Sequence, residues 1–308
     1  MLKEAKNTVI IEGILSETDI NLGSFVKNRG TAQERTVNSI SGTIKIKVEQ
    51  KINGETIPLE IPVHVFAAET TNAGKPNPAY QSILKVKDEF KSIAACGSEE
   101  EADRIRINNG KINMNEYWID ENNISSYPRI TASFFSKVKK TDCAQKAIFE
   151  TEFVVGGKEY EVNSLGNETG RYKIKGILPK YGGIVDVIPF YVVNEKAIDI
   201  MSQYWNEGDT VAAVGKLYFS SKTEVIAKEV DFGEPIEETR TISVSDLIIT
   251  GGSQTPLEGD FAYDNSEIEQ ALIDRKARLE AKKEHDLNRT KKAPSQAAVS
   301  SGFANLGF

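Results

Sequence analysis

Apolar and polar residues alternate along several stretches of the chain, which is the pattern of half-buried β-strands. Residues 42–52 alternate isoleucine and valine with lysine and glutamate, and residues 57–65 repeat the pattern. Asn53-Gly54 lies between the two stretches and predicts a tight turn, because both central positions of a type I′ turn need positive φ. The first half of the chain is therefore predicted to contain a β-hairpin here.

The second half has the same alternation. Residues 148–155 and 158–162 flank Gly156-Gly157, which predicts another hairpin, and further strands are predicted over 171–179 and 184–193. Residues 19–38 are polar instead and predict a long loop, which carries Phe25, Lys27, Arg29 and Arg35.

Helical spacing of apolar residues replaces the alternation in three places. It predicts helices over residues 83–93, 195–205 and 266–288. Ser266 with Glu269 has the capping-box spacing and predicts the start of the third helix. The last residues, 289–308, are rich in Ser, Ala and Gly, and we expect them to form a flexible tail.

One short segment occurs in each half of the chain. Gly110-Lys111-Ile112 and Gly215-Lys216-Leu217 each follow an apolar run and precede alternating residues rich in aromatics. A further strand opening on an arginine, Arg129 or Arg240, follows each of them. Both copies come after a predicted helix, and a helix between the third and fourth strands of a five-stranded barrel is the OB-fold arrangement.

These patterns predict a mainly β protein with two OB-fold-like five-stranded barrels, a C-terminal helix and a flexible tail. We expect the first barrel at residues 1–140 and the second at 141–253. Residues 254–308 would then contain a linker, the charged helix and the tail.

Composition narrows the possible functions. The net charge is −7, with 39% hydrophobic and 27% charged residues, which is typical of a soluble globular protein. No apolar run approaches the roughly 20 residues that span a bilayer, and the N-terminus lacks the apolar core of a signal peptide. Two distant cysteines and two histidines predict neither a disulfide framework nor a zinc site, so we expect a cytoplasmic protein without cofactors.

The segment from Trp205 to Leu217 resembles single-stranded DNA-binding proteins of the bacterial and phage OB-fold type. In that family a helix leads into a Gly-Asp turn, an apolar strand, then Gly-Lys or Gly-Arg and a strand with aromatics. Here the turn is Gly208-Asp209, and Asn7–Leu15 is similar to the family's first strand. The chain departs from the family in having two barrels, and in lacking an acidic tail that ends in Pro-Phe.

The resemblance implies a phage-encoded relative that binds single-stranded DNA in replication or recombination. Sequence-tolerant binding of a single strand needs aromatic faces for stacking and cations along the backbone. Candidates in the first barrel are Lys45, Lys47, Lys111, Tyr117 and Trp118, beside the cations of the long loop. Candidates in the second are Tyr172, Lys173, Lys175, Lys180, Tyr181, Lys216, Tyr218, Phe219 and Lys222.

Structural roles compete with these assignments. Alternating lysines also occur on solvated sheet faces, and the flanking residues of Phe66 and Phe190 predict core positions for both. Of the adjacent Tyr218 and Phe219, we expect one inside and one outside, and His64 is expected to point outward from its strand.

Two other functions remain open. The acidic composition suits a structural or assembly protein that uses OB barrels for protein contacts. A nuclease is less favoured, because no clustered His, Asp or Glu stands out and no phosphate-binding loop is present, so the chain is expected not to be an enzyme. The C-terminal helix and tail are expected to contact a replication or recombination protein, and the oligomeric state is left open.

Overall fold

The computed structural model describes residues 2–52, 54–163, 166–228 and 236–292, and leaves out the side chains of residues 222–242 and 290–292. Strands account for 54% of the residues and helices for 22%, so the protein is mainly β as predicted.

The first five strands form a closed circuit of backbone pairing. Antiparallel pairs join the first strand to the second, the second to the third, the fifth to the fourth and the fourth back to the first, and a short parallel pair joins the third to the fifth. We call this circuit unit one. Its strands are β1 (Asn7–Lys27), β2 (Arg35–Ile52), β3 (Glu55–Ala68), β4 (Arg104–Trp118) and β5 (Ile124–Thr131).

A second circuit has the same order. Antiparallel pairs join its first strand to its second, the second to the third, the fifth to the fourth and the fourth back to the first, and its third and fifth strands are parallel. We call it unit two. Its strands are β7 (Lys146–Val162), β8 (Glu168–Lys180), β9 (Ile184–Val192), β10 (Thr210–Lys228) and β11 (Ile236–Gly252), and the short strand β6 (Ser136–Val138) precedes them.

The helices occupy the place that the OB-fold order requires. In unit one, α1 (Pro78–Glu89) and α2 (Ile93–Cys96) lie between the third and fourth strands, and in unit two α3 (Glu195–Tyr204) does so. The side chains of Asn77 and Asn194 cap α1 and α3 by accepting backbone N–H bonds. The predicted strand order and helix positions are therefore confirmed in both halves.

The two units are hydrogen-bonded to each other along their first strands. β1 and β7 are antiparallel, with Val9 opposite Phe149, so all eleven strands belong to one continuous sheet rather than to two separate barrels. Gly110 pairs with Val9 and Gly215 with Phe149, which shows that the two Gly-Lys segments occupy equivalent places. The division of the chain at residues 140 and 253 stays a prediction.

Apolar residues from both units form one contiguous core. In unit two, Phe153 stacks on Phe190 with 4.7 Å between ring centroids, and Trp205 meets Phe153 edge-on at 6.0 Å. Across the boundary, the buried Gln50 of β2 donates to the Leu217 carbonyl at 3.2 Å and accepts from the Ala147 N–H at 2.8 Å. Such satisfied polar contacts fix how the two units face each other.

Two local predictions were wrong. Residues 19–38 are not a loop, because β1 continues to Lys27 and β2 begins at Arg35 in a long antiparallel arm. Gly156-Gly157 is not a hairpin turn, since β7 runs through it and the pairing with β8 only shifts register there. This shift is a β-bulge, which bends a strand without reversing it. Asn53 lies outside the described residues, but β2 and β3 do pair on both sides of it.

The C-terminal helix is longer than predicted. Helix α4 spans Asn265–Lys292, and Asp264 rather than Ser266 caps it, by accepting the N–H groups of Ser266 at 2.8 Å and Glu267 at 3.1 Å. Residues 293–308 of the predicted tail lie outside the described residues.

Candidate nucleic-acid interface

The pairing register aligns the outward faces of the two units residue by residue. In unit one Lys45 of β2 lies opposite Pro62 of β3, and in unit two Lys175 of β8 lies opposite Pro189 of β9. Strands two and three of an OB-fold form its oligonucleotide-binding face. Lys45 and Lys175 therefore occupy equivalent places on the corresponding face of the two units.

Lys45 is neutralised by its neighbours. Its ammonium lies 2.6 Å from the Glu17 carboxylate and 4.0 Å from that of Glu60. The hydrogen bond to Glu17 is the main cause that raises the pKa of Lys45, which keeps the ammonium charged but committed to protein carboxylates.

Lys175 has no such neighbours. The register puts Gly157 in the place of Glu17, next to the β-bulge, and Val187 in the place of Glu60. Lys175 is exposed and forms no ion pair with any residue that the structure describes. The lysine at this place is thus held by carboxylates in unit one, and in unit two its ammonium group is available to bind an anion.

A cleft of about 450 Å³ opens beside Lys175. It lies over the outward face of β7, β8 and β9. Lys173 also faces it, with its ammonium 3.3 Å from the Glu159 carboxylate. The lining residues are Gly156, Gly157, Lys158, Glu159, Lys173, Lys175, Val187, Pro189 and Glu207.

An aromatic side chain borders this face. Tyr191 pairs with Lys173 across β9 and β8, and the Arg171 guanidinium lies over its ring, 4.1 Å from the centroid. Arg171 is anchored by Asp246 at 2.7 Å and Glu161 at 3.2 Å. Burial, together with those two carboxylates, raises the pKa of Tyr191 to about 12, so the phenol is neutral at any physiological pH.

Tyr181 and Lys180 lie at the turn between β8 and β9. Tyr181 is 86% exposed, which leaves both faces of its ring open. Lys180 instead pairs with Asp186 at 2.9 Å, so its charge is partly compensated. Tyr172, on the other face of β8, is buried and meets Tyr160 edge-on at 5.0 Å.

The long arm of unit one carries a further aromatic and cationic surface. Phe25 and Phe66 lie 6.0 Å apart, and Phe66 is 61% exposed, so its predicted core position was wrong. Phe190 is fully buried as predicted. The alternation could have placed Phe66 outside, since Val63 and Val65 point inward. Lys27 and Arg35 line an open cleft at the tip of the arm, and Arg29 lies in the same loop.

Besides Tyr172, two further predicted aromatic contacts are buried. Trp118 is 9% exposed, and its indole N–H donates to the Leu279 carbonyl of α4 at 2.8 Å. Phe219 is 3% exposed and belongs to the core, while the adjacent Tyr218 is half-buried. The prediction that Trp118 and Phe219 stack on bases is therefore wrong, because both aromatic side chains pack inside the protein.

The remaining predicted lysines are dispersed. Lys47 pairs with Glu99, and Lys111 lies 3.6 Å from Glu4. Lys216 donates to the Lys51 carbonyl at 2.6 Å and so joins the two units. The side chain of Lys222 lies outside the described residues. The structure thus gathers Lys173, Lys175 and the unpredicted Tyr191 on one face of unit two, and Tyr181 lies at the turn of the same hairpin. Tyr117 lies elsewhere, beside α4.

Comparison with known proteins identifies the family. A model of the YorF family matches residues 6–285. The chain belongs to the YorF family. No curated protein matches its sequence.

Two solved structures are similar to this YorF family member. Wild-type single-stranded DNA binding protein from Thermus aquaticus aligns over 86% of this chain and 99% of its own, at 10% identity and a TM-score of 0.47. A deletion mutant of the same protein aligns over 83% and 97%, at 10% identity and a TM-score of 0.45.

Two other kinds of site are absent from the described parts of this YorF chain. Those parts contain no group of three or more His, Cys, Asp or Glu side chains that could hold a metal ion. None of their helices is long and apolar enough to span a membrane.

Proposed function

We propose that this protein is a non-enzymatic, sequence-tolerant binder of single-stranded DNA, and that the outward face of β8 and β9 is its main contact. The unpaired Lys175 on that face carries the proposal. A phosphate binds best to a cation that protein carboxylates have not already neutralised. At this pair of equivalent places, Lys175 of unit two is such a cation and Lys45 of unit one is not.

Aromatic groups on the same β8–β9 hairpin supply the second requirement. Tyr181 exposes 86% of its surface at the end of the β8–β9 hairpin, and Tyr191 lies beside Lys173. Every base has a π-face, so stacking contributes about 1–3 kcal/mol per base whatever the sequence. Lysine and tyrosine on one strand pair therefore fit a strand that is bound without base readout.

The net charge of −7 is compatible with this function, because binding depends on local charge. The carboxylates nearest this face pair with basic side chains other than Lys175. Glu159 pairs with Lys173, and Glu161 and Asp246 hold Arg171. Glu207 also lines the cleft. We assign the activity to DNA replication or recombination, in a phage or its host, because those processes expose single strands.

The test is a fluorescence-anisotropy titration of labelled oligo-dT over a salt series. Lys175→Ala should weaken binding and lower the slope of log affinity against log salt by about 0.7, the value for one lost phosphate contact on a single strand. Lys45→Ala is the matched control, at the equivalent place in unit one, and should leave the slope unchanged. Equal effects of the two substitutions would contradict the assigned face.

Absence of oligo-dT binding by the unsubstituted protein at low salt would overturn the function itself. The assembly role suggested by the acidic composition would then be favoured, and capture of a protein partner would be the next experiment.

A further inference from the structure

Helix α4 crosses from unit two to the β4–β5 hairpin of unit one. Its first turns bury Ile268 and Ala271 in the core. Farther along, Arg275 pairs with Glu116 of β4, and Lys282 donates to the Glu116 carbonyl at 2.7 Å. The Leu279 carbonyl accepts the indole N–H of Trp118. The helix is thus attached to the hairpin by charged and hydrogen-bonded contacts on one side.

A cleft of about 450 Å³ lies between the end of this helix and the hairpin. β4 and β5 contribute side chains to one wall, and α4 contributes the other. The lining residues are Asn115, Tyr117, Tyr127, Arg129, Lys282, Asp286 and Arg289.

Arg129 is the cation of the sheet wall, and it is not neutralised. In the parallel pairing of the third and fifth strands, Thr131 lies opposite His64 in unit one and Ile248 lies opposite Tyr191 in unit two. Arg129 and Asp246 each lie two residues before these positions, so they occupy equivalent places. Asp246 anchors an arginine there, whereas Arg129 forms no ion pair within the described part of the chain. Its Nε atom is buried without a hydrogen-bond partner among those residues.

The helix wall adds further positive charge. Lys282 lies 3.3 Å from Asp286, which offsets it, but Arg289 is exposed and makes no ion pair with any described residue. Three cations thus surround one carboxylate. Tyr117 and Tyr127 are half-buried in the same cleft. Unpaired guanidinium groups beside aromatic faces match the phosphate and base of a nucleotide.

We propose that α4 and the β4–β5 hairpin together form a second single-strand-binding site, in which Arg129 and Arg289 bind phosphates and Tyr117 and Tyr127 contact bases. This inference rests on the proposed function and extends it to unit one. It assigns the helix to the nucleic-acid interface rather than to a protein partner, and it explains how unit one can bind although Lys45 is masked.

The test compares two arginines of α4 in the full-length protein. Arg289→Gln should weaken the binding of long oligo-dT about tenfold, as expected for the loss of a charged hydrogen bond. Arg278→Gln is the matched control, because Arg278 is exposed on the same helix but does not line the cleft. Equal affinities of the two variants would overturn the site.

A location-specific readout accompanies the titration. Oligonucleotides carrying photoreactive bromodeoxyuridine should crosslink to the peptide that contains Tyr117 or Tyr127, and Arg289→Gln should reduce that product more than Arg278→Gln does. The second site alone would be refuted if Lys175→Ala weakened oligo-dT binding, Arg289→Gln did not, and no crosslink formed at Tyr117 or Tyr127. If the unsubstituted protein binds no oligo-dT, the proposed function fails with it.

Discussion

Lys45 of β2 and Lys175 of β8 occupy equivalent places, each opposite a proline on the neighbouring strand, but only Lys45 is held by carboxylates. The difference arises on the flanking strands. Glu17 and Glu60 surround Lys45, and Gly157 and Val187 stand in their places around Lys175. The two units share one backbone arrangement, and the residues beside a lysine decide whether it is free to bind an anion.

Removing both acids from unit one should unmask Lys45. We expect Glu17→Gln with Glu60→Gln to raise the affinity for oligo-dT and to steepen its salt dependence, because a further cation can then bind a phosphate. Stability should change by about 1 kcal/mol or less, since these ion pairs are solvent-exposed. Anisotropy titration and urea unfolding measure the two effects.

The control for this variant carries the same change in net charge elsewhere. Glu89→Gln with Glu150→Gln removes two exposed acids, which pair with Lys85 and Lys6. An equal gain in affinity from this pair would show that only the overall charge matters, and would contradict local masking by Glu17 and Glu60.

Gly215 and Gly110 are equivalent, but they should not tolerate alanine equally. A Cβ at Gly215 would lie 2.2 Å from the Ile248 carbonyl oxygen and 2.3 Å from the Phe149 ring. At Gly110 the nearest atom is Cβ of Val9 at 3.1 Å. Gly215→Ala should therefore lower the free energy of unfolding by about 1–3 kcal/mol, and Gly110→Ala by less. Urea unfolding measures both values, and equal losses would argue against the tight packing at Gly215.

His64 should make the protein less stable in acid. Burial, and secondarily the charge of Arg129, lowers the pKa of His64 from 6.5 to about 4. Between those pH values the unfolded chain binds a proton that the folded protein does not, so stability falls as the pH decreases from about 6.5 towards 4. His64→Gln should lose less stability over this range.

Urea unfolding at several pH values tests this prediction, and NMR titration of the imidazole tests its cause. The chain has only two histidines, so the His64 signal can be assigned by comparison with the variant. Arg129→Gln should shift the pKa of His64 upward. An ordinary pKa for His64 in the unsubstituted protein would refute the assigned environment.

Much of the fold could be predicted from the sequence, because each local pattern reflects a local physical constraint. Alternation in 42–52 and 57–65 follows from a strand with one buried face. The helices at Pro78–Glu89 and Glu195–Tyr204 follow from the helical spacing of their apolar residues. The hairpin turn predicted at Gly156-Gly157 was wrong because glycine is common both in turns and in β-bulges, and only the pairing with the neighbouring strand distinguishes the two.

The site was less predictable, because it depends on which residues become neighbours in space. The sequence by itself determined the two-fold repeat, the OB-fold strand order and the presence of lysines and aromatics on the strands. Only the tertiary structure decided that Trp118 is covered by α4, that Glu17 and Glu60 mask Lys45, and that Lys175 has no ion-pair partner in the part of the chain that the structure describes. Charge pairing and burial act between residues far apart in the chain, and no local pattern records those distances.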